Sequence, residues 1–246
     1  DDDLRKIFNS VNDKCINIIN ITHNKIIDNT EIIKNLNISE LTFDSIIIVL
    51  DDVIDILSFN FNFDKKLFII SDSLKKLFLG DSFDNELSIL PDCIEEIELG
   101  NAFNHKIKYL PSNLKSLMIG NSFCQEFDDN VLPSSLEKLF LGESFTTKLL
   151  KLPNNTKKLK LDSSFNGEIR TSNLSNTLEE LTINKCSSKI IDELISLKCL
   201  TMEYIEKNIK VLNKNLLSFT FVGNYYGEYE DRNVFHEIDL TSAKKL

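Results

Sequence analysis

Apolar residues along positions 74–153 fall in a fixed order that is written four times. The first copy places Leu74, Leu77 and Leu79 ahead of Gly80, then Phe83, Leu87, Leu90 and Pro91. The second repeats this as Ile94, Ile97, Leu99, Gly100, Phe103, Ile107, Leu110 and Pro111. The third runs Leu114, Leu117, Ile119, Gly120, Phe123, Phe127, Leu132 and Pro133, with two extra residues before the proline. The fourth runs Leu136, Leu139, Leu141, Gly142, Phe145, Leu149, Leu152 and Pro153. Such a period marks a stack of units in which no unit folds alone. Alternation over Leu77-Phe78-Leu79 predicts a short strand with two leucines inward and the middle residue outward. The glycine is expected to end the strand at a sharp turn. The phenylalanine is a large inward plug, and Leu-Pro holds the return path extended. All four prolines and four of the seven glycines sit at these marks.

The pattern extends in both directions. Backward, Ile54, Leu57, Phe59, Phe63, Leu67 and Ile70 take the same places, preceded by Ile38-Leu41-Phe43 and by Ile16-Ile19-Ile21. Forward, Leu159, Leu161, Asp162 and Phe165 form a degenerate copy with Asp162 for glycine. Strand triplets follow at Leu178-Leu181-Ile183, Leu197-Leu200-Met202, Leu216-Phe219-Phe221 and Phe235-Ile238-Leu240. The expected fold is therefore a β-rich, right-handed curved solenoid of about twelve coils with a parallel concave sheet. It is read as one domain over 1–246: an N-terminal cap at 1–15, degenerate coils at 16–73, clear repeats at 74–165, and degenerate coils with a C-terminal cap at 166–246. Leu4, Ile7, Phe8 and Val11 have helical spacing for the cap. Ile26–Ile33 and Ile46–Leu50 fit either helix or strand. Ile190, Ile191, Leu194 and Ile195 predict a helical outer segment, and the last strand should end near Thr241, leaving a frayed Lys244–Leu246.

The motif L-x-x-L-x-L at this period resembles the leucine-rich repeat, and the fuller LP-x-x-L-x-x-L-x-LG-x-x-F resembles the FNIP repeat of social amoebae and amoeba-infecting giant viruses. The asparagine that this family carries after the phenylalanine is kept at Asn104 and Asn166 but is Asp84, Cys124 and Thr146 elsewhere. An asparagine ladder along the stack is thus expected to be broken. The resemblance implies a non-catalytic adaptor or scaffold, and in viral members an F-box-like segment ahead of the repeats. No clear F-box stands in residues 1–53.

Composition narrows the field. A net charge of −10 argues against a general nucleic-acid binder, which requires a dense basic surface. No apolar run is long enough for a transmembrane helix, and the acidic start DDDLRKIF lacks the apolar segment of a signal peptide. Five cysteines without C-x-x-C spacing read as free thiols in a reducing, intracellular and cytoplasmic setting. His23, His105 and His236 fall in different coils, so no metal cluster, cofactor motif or catalytic constellation is visible, and a Cys124–His105 pair is the weak exception.

Function is expected on the outward strand columns. One runs Lys76, Glu96, Ser116, Lys138, Lys158, Glu180, and the next runs Phe78, Glu98, Met118, Phe140, Lys160, Thr182. Phe78, Met118 and Phe140 are large apolar groups at solvent-side positions, as in protein interfaces. Lys138, Lys158 and Lys160 form a basic cluster beside them, and Glu95, Glu96 and Glu98 an acidic one. Together they point to a protein partner on the concave face. The Tyr225, Tyr226 and Tyr229 loop at 223–233 is a second candidate contact or a cap. Two alternatives remain open: a structural subunit of a virion or larger assembly, and RNA contact through Lys138–Lys160.

Overall fold

The computed structural model describes residues 16–21, 45–50, 56–59, 63–64, 66–146, 148–165, 167, 169–185, 187–202 and 213–221. The expected cap at 1–15, the triplets at 38–43 and 235–240, the tyrosine loop and the terminal tail lie outside these residues.

Nine short strands form one parallel sheet, each one coil apart. They are β3 (Ile56–Ser58), β5 (Lys76–Leu79), β6 (Glu96–Leu99), β7 (Ser116–Ile119), β8 (Lys138–Leu141), β9 (Lys158–Leu161), β10 (Glu180–Ile183), β11 (Cys199–Met202) and β12 (Ser218–Phe221). They pair strictly in chain order, so the described residues form a parallel-sheet β-solenoid with little helix. The register is the one the repeat spacing dictates: Leu77 faces Ile97, then Leu117, Leu139, Leu159, Leu181, Leu200 and Phe219. The extra two residues of the third repeat are absorbed in the loop at 128–131, where Asn130 takes a positive φ of 66°. Asn is among the few residues that tolerate this conformation.

The N-terminal coils differ from the twelve-coil expectation. β1 (Ile16–Ile21) is extended, but it does not join the nine-stranded sheet. It pairs with β2 (Ser45–Leu50), which pairs with β4 (Lys66–Ile70), in a separate three-stranded parallel sheet. The Ile46–Leu50 run is therefore strand rather than helix. β4 is the return segment of the coil that begins with β3. Strand alternation there turns Leu67 and Ile69 into the solenoid core. Phe68, on the opposite side of β4, is buried as well, so both faces of this strand are covered.

The core is a set of columns. Phe63, Phe83, Phe103, Phe123, Phe145 and Phe165 stack with successive ring centroids 5.9–6.1 Å apart and nearly parallel planes. Leucines and isoleucines of the strands fill the space beside them. The expected turn follows the glycines, with the Phe83, Phe103 and Phe145 N–H groups donating to the Gly80, Gly100 and Gly142 carbonyls, but backbone freedom is not what requires glycine there. No described glycine has positive φ. A Cβ on Gly100, Gly120 or Gly142 would instead lie 2.4–2.7 Å from atoms of the preceding coil, nearly all of them backbone. Glycine is there to let coils approach.

Side-chain ladders tie the edges. The Asp64 carboxylate accepts from the Asp84 N–H at 3.0 Å, Asp84 accepts from Asn104 N–H at 2.9 Å, and the Asn104 side-chain oxygen accepts from Cys124 N–H at 3.0 Å. This corrects the expected break at Asp84, since the acceptor is an oxygen that Asp and Asn both supply. Among the described residues, Cys124 ends the ladder. Toward the C-terminus the outer segment turns helical as α1 (Ser188–Glu193). Buried Asn213 donates to the carbonyls of Ile191 and Leu194, at 2.8 and 2.9 Å, and so satisfies backbone groups where that helix ends.

Candidate functional site

The solvent face of the nine-stranded sheet is built from three adjacent columns, set by the position of each residue relative to the two inward leucines. The column just before the strands was absent from the sequence reading. It runs Lys75, Glu95, Lys115, Glu137, Lys157, Glu179, Lys198, alternating in sign at every coil. Each residue's N–H donates to the carbonyl of the one before it. The side chains pair across coils as well: Lys75–Glu95 at 3.7 Å, Lys115–Glu95 at 2.6 Å, Lys157–Glu137 at 3.2 Å and Lys198–Glu179 at 2.8 Å. Hydrogen bonding from Lys115 holds the Glu95 carboxyl below its ordinary range, and Lys198 does the same for Glu179. The Glu95 hydrogen bond in turn raises Lys115. This column saturates itself. The signal was present in sequence as the residue after each repeat's first leucine, alternating Lys and Glu.

The next column contains Lys76, Glu96, Ser116, Lys138, Lys158, Glu180 and Cys199 in continuous register. Here Lys76 and Glu96 pair at 2.8 Å, and Lys158 and Glu180 at 2.7 Å. The hydrogen bond to Glu180 raises Lys158. Of the expected basic cluster, Lys158 is therefore occupied by a neighbour. Of the expected acidic cluster, Glu95 and Glu96 are likewise occupied.

The third column is different. It runs Ser58, Phe78, Glu98, Met118, Phe140, Lys160, Thr182, Thr201 and Thr220. Glu98 stands between Phe78 and Met118, and Lys160 between Phe140 and Thr182, so neither has an opposite charge in register. Lys138, one column over, lies between Ser116 and Lys158. Among the described residues, Lys138, Lys160 and Glu98 are exposed and make no ion pair. Phe78, Met118 and Phe140 are half-buried: each leaves part of its apolar surface in water.

The other candidates separate. His105 Nε2 donates to the Asp84 carbonyl at 2.8 Å and lies 3.5 Å from the Asp84 carboxylate. Cys124 is engaged with Asn104, at 3.4 Å from Sγ to the side-chain oxygen, and no hydrogen bond joins it to His105. Cys93 is partly buried, with Sγ donating to the Ser71 carbonyl at 3.5 Å, and burial pushes its thiol up. Cys15, Cys186, His23 and His236 fall outside the residues whose side chains are described. Among the described residues, no helix is long and apolar enough to cross a membrane.

Residues 103–144 match the model of the FNIP repeat. A comparison with curated proteins finds no match. Among solved structures, the chain is similar to CroV588 of a giant virus, described as a novel circular LRR protein structure, at 21% identity and a TM-score of 0.43. The match covers 72% of this chain and 36% of that one.

Proposed function

We propose that this chain, whose residues 103–144 are FNIP repeats, is a non-catalytic scaffold that binds a protein partner on the face of its nine-stranded sheet. On this reading the solenoid is right-handed, as nearly all parallel crossovers are. It is curved, with that sheet concave, and acts inside the cell as a substrate-recognition or adaptor module. The observation that carries the proposal is the third column. Phe78, Met118 and Phe140 sit half-buried among otherwise polar positions, and a stack held together by leucine, phenylalanine, glycine and charge ladders gains little from them there. Aromatic and methionine side chains are what interface cores use.

The test is affinity capture from amoeba lysate with the wild-type chain beside a Phe78→Ala/Met118→Ala/Phe140→Ala variant. A partner retained by the first and lost by the second, with both giving the same far-ultraviolet spectrum and unfolding midpoint, supports face recognition. Identical partner sets on both baits refute it.

A further inference from the structure

The charges of the sheet face give this binding site a polarity. Every charged residue of the three columns but three is engaged with a neighbour: Lys76 with Glu96, Lys158 with Glu180, and each member of the alternating Lys75–Lys198 column with at least one other. The exceptions are Glu98 at one end of the Met118–Phe140 pair, and Lys138 with Lys160 at the other. Their register neighbours are Phe, Met, Ser, Lys and Thr, so the sequence itself denies them an internal partner. From Glu98 to Lys160 is three strand steps, about 14 Å at the usual strand spacing. An extended chain rises about 3.3 Å per residue, so residues four apart on one side of it span roughly the same distance.

We infer that the site takes an extended peptide segment lying across the strands, with the side-chain order basic–x–apolar–x–acidic. The basic residue meets Glu98, the apolar residue lies on Met118 and Phe140, and the acidic residue meets Lys138 and Lys160. Either chain direction satisfies the same order. The inference rests on the proposed face binding and deepens it by naming the partner's chemistry. The chain's overall charge of −10 opposes an acidic ligand at long range. Attraction at the lysine end is therefore local, and added salt weakens both effects.

The test is selection of a phage-displayed library of random short peptides on the immobilised full chain. Enrichment of the basic–x–apolar–x–acidic order, in either chain direction, by about tenfold or more, equivalent to about 1.4 kcal/mol, is expected. On a Lys138→Glu/Lys160→Glu variant the acidic place should change to basic. Because both lysines are exposed and unpaired, this variant keeps the fold, which circular dichroism verifies. Three other outcomes overturn the inference. Enrichment of apolar peptides without a charge preference, lost on the Phe78→Ala/Met118→Ala/Phe140→Ala variant, removes the polarity and leaves face binding standing. Enrichment unaffected by either variant removes both readings. So does no enrichment at all over the bare support.

Discussion

Replacing Gly120 by alanine separates two accounts of the glycine column by the sign of one number. If glycine served backbone freedom alone, alanine would be favourable. The described glycines have no positive φ, and a compatible Gly→Ala change stabilises by about 0.4–1 kcal/mol through the unfolded chain. The structure argues the opposite. A Cβ on Gly120 would lie 2.6 Å from the Asn101 Cα, 2.6 Å from the Gly100 carbonyl oxygen and 2.7 Å from the Gly100 carbonyl carbon. Non-bonded carbons rest about 3.5–4.0 Å apart, so the two coils must part by roughly 1 Å. All three atoms are backbone, so no side chain can swing aside. The displacement strains the bond from the Gly120 N–H to the Leu99 carbonyl, now 3.0 Å. Overpacking of this kind costs about 1–3 kcal/mol, leaving a net loss centred on about 1.3 kcal/mol after the unfolded-chain gain is taken off. Urea unfolding followed by far-ultraviolet circular dichroism measures it as a lower midpoint at unchanged slope. A Gly120→Ala midpoint equal to or above wild type would refute the close-approach argument. Asp162 offers the control, because it occupies the same column with a side chain in place. Its carboxylate accepts from Ser163 Oγ at 3.0 Å and Ser164 N–H at 3.1 Å. Asp162→Gly therefore also destabilises, by about 1 kcal/mol for the lost bonds.

Two further outcomes follow from the columns. Phe123 is fully buried, between Phe103 at 5.9 Å and Phe145 at 6.1 Å; Phe123→Ala should cost about 3–5 kcal/mol, read by the same urea titration, and a loss under 1 kcal/mol would show the stack to be ornamental. The charge pairs of the sheet face should contribute to the pH dependence of stability. Glu95 and Glu179 are lowered in the folded state, so their contribution is complete above the ordinary carboxylate range and disappears as pH falls through the depressed values. Lys115 and Lys158 are raised, so theirs is complete below the ordinary lysine range and disappears as pH rises through the elevated values. Thermal midpoints should thus be flat between those ranges and decline on both sides. Glu95→Gln/Glu179→Gln should flatten the acid limb, and an unchanged acid limb would remove the ladder from the account.

How much could be read in advance depended on whether a residue's partner lies at a fixed offset. Leu77, Phe83 and their counterparts answer only to neighbours one coil away, so spacing alone placed them and the strand register followed. The N-terminal coils escaped because β1 pairs with β2 and β2 with β4, a return segment, and the hydrophobic spacing of Ile16-Ile19-Ile21 is the same whichever sheet receives it. The glycine was correctly read as ending the strand at a turn, but the reason glycine stands there was missed, since close approach between coils leaves no trace in composition. Asp84 was read as breaking a ladder because residue identity was compared, whereas the bond requires only an acceptor oxygen. At the candidate site, the outward positions of Phe78, Met118 and Phe140 were legible. Which charges are already spent on a neighbour was missed, although the repeat period already places Lys115 beside Glu95 and Lys158 beside Glu180; the pairing itself is set by side-chain geometry, at 2.6 and 2.7 Å.

Under the proposed function, that last distinction confines recognition on this sheet to a small area. The inward columns are filled by leucine and phenylalanine, the glycine column by the backbone of the previous coil, and the Asp64–Asp84–Asn104 column by amide donors. On the sheet face, the Lys75–Lys198 column is occupied by its own alternation, and the adjacent one holds the Lys76–Glu96 and Lys158–Glu180 pairs. A residue already engaged within the stack can be recruited by a partner only by breaking a contact, which lowers the net gain of binding. Phe78, Glu98, Met118, Phe140 and Lys160, with Lys138 beside them, carry no such obligation. Periodic solenoids can change those positions coil by coil while the core columns stay as they are, because these side chains lie outside the buried core. Specificity in this architecture is therefore expected to be written in the third column, and stability in the others.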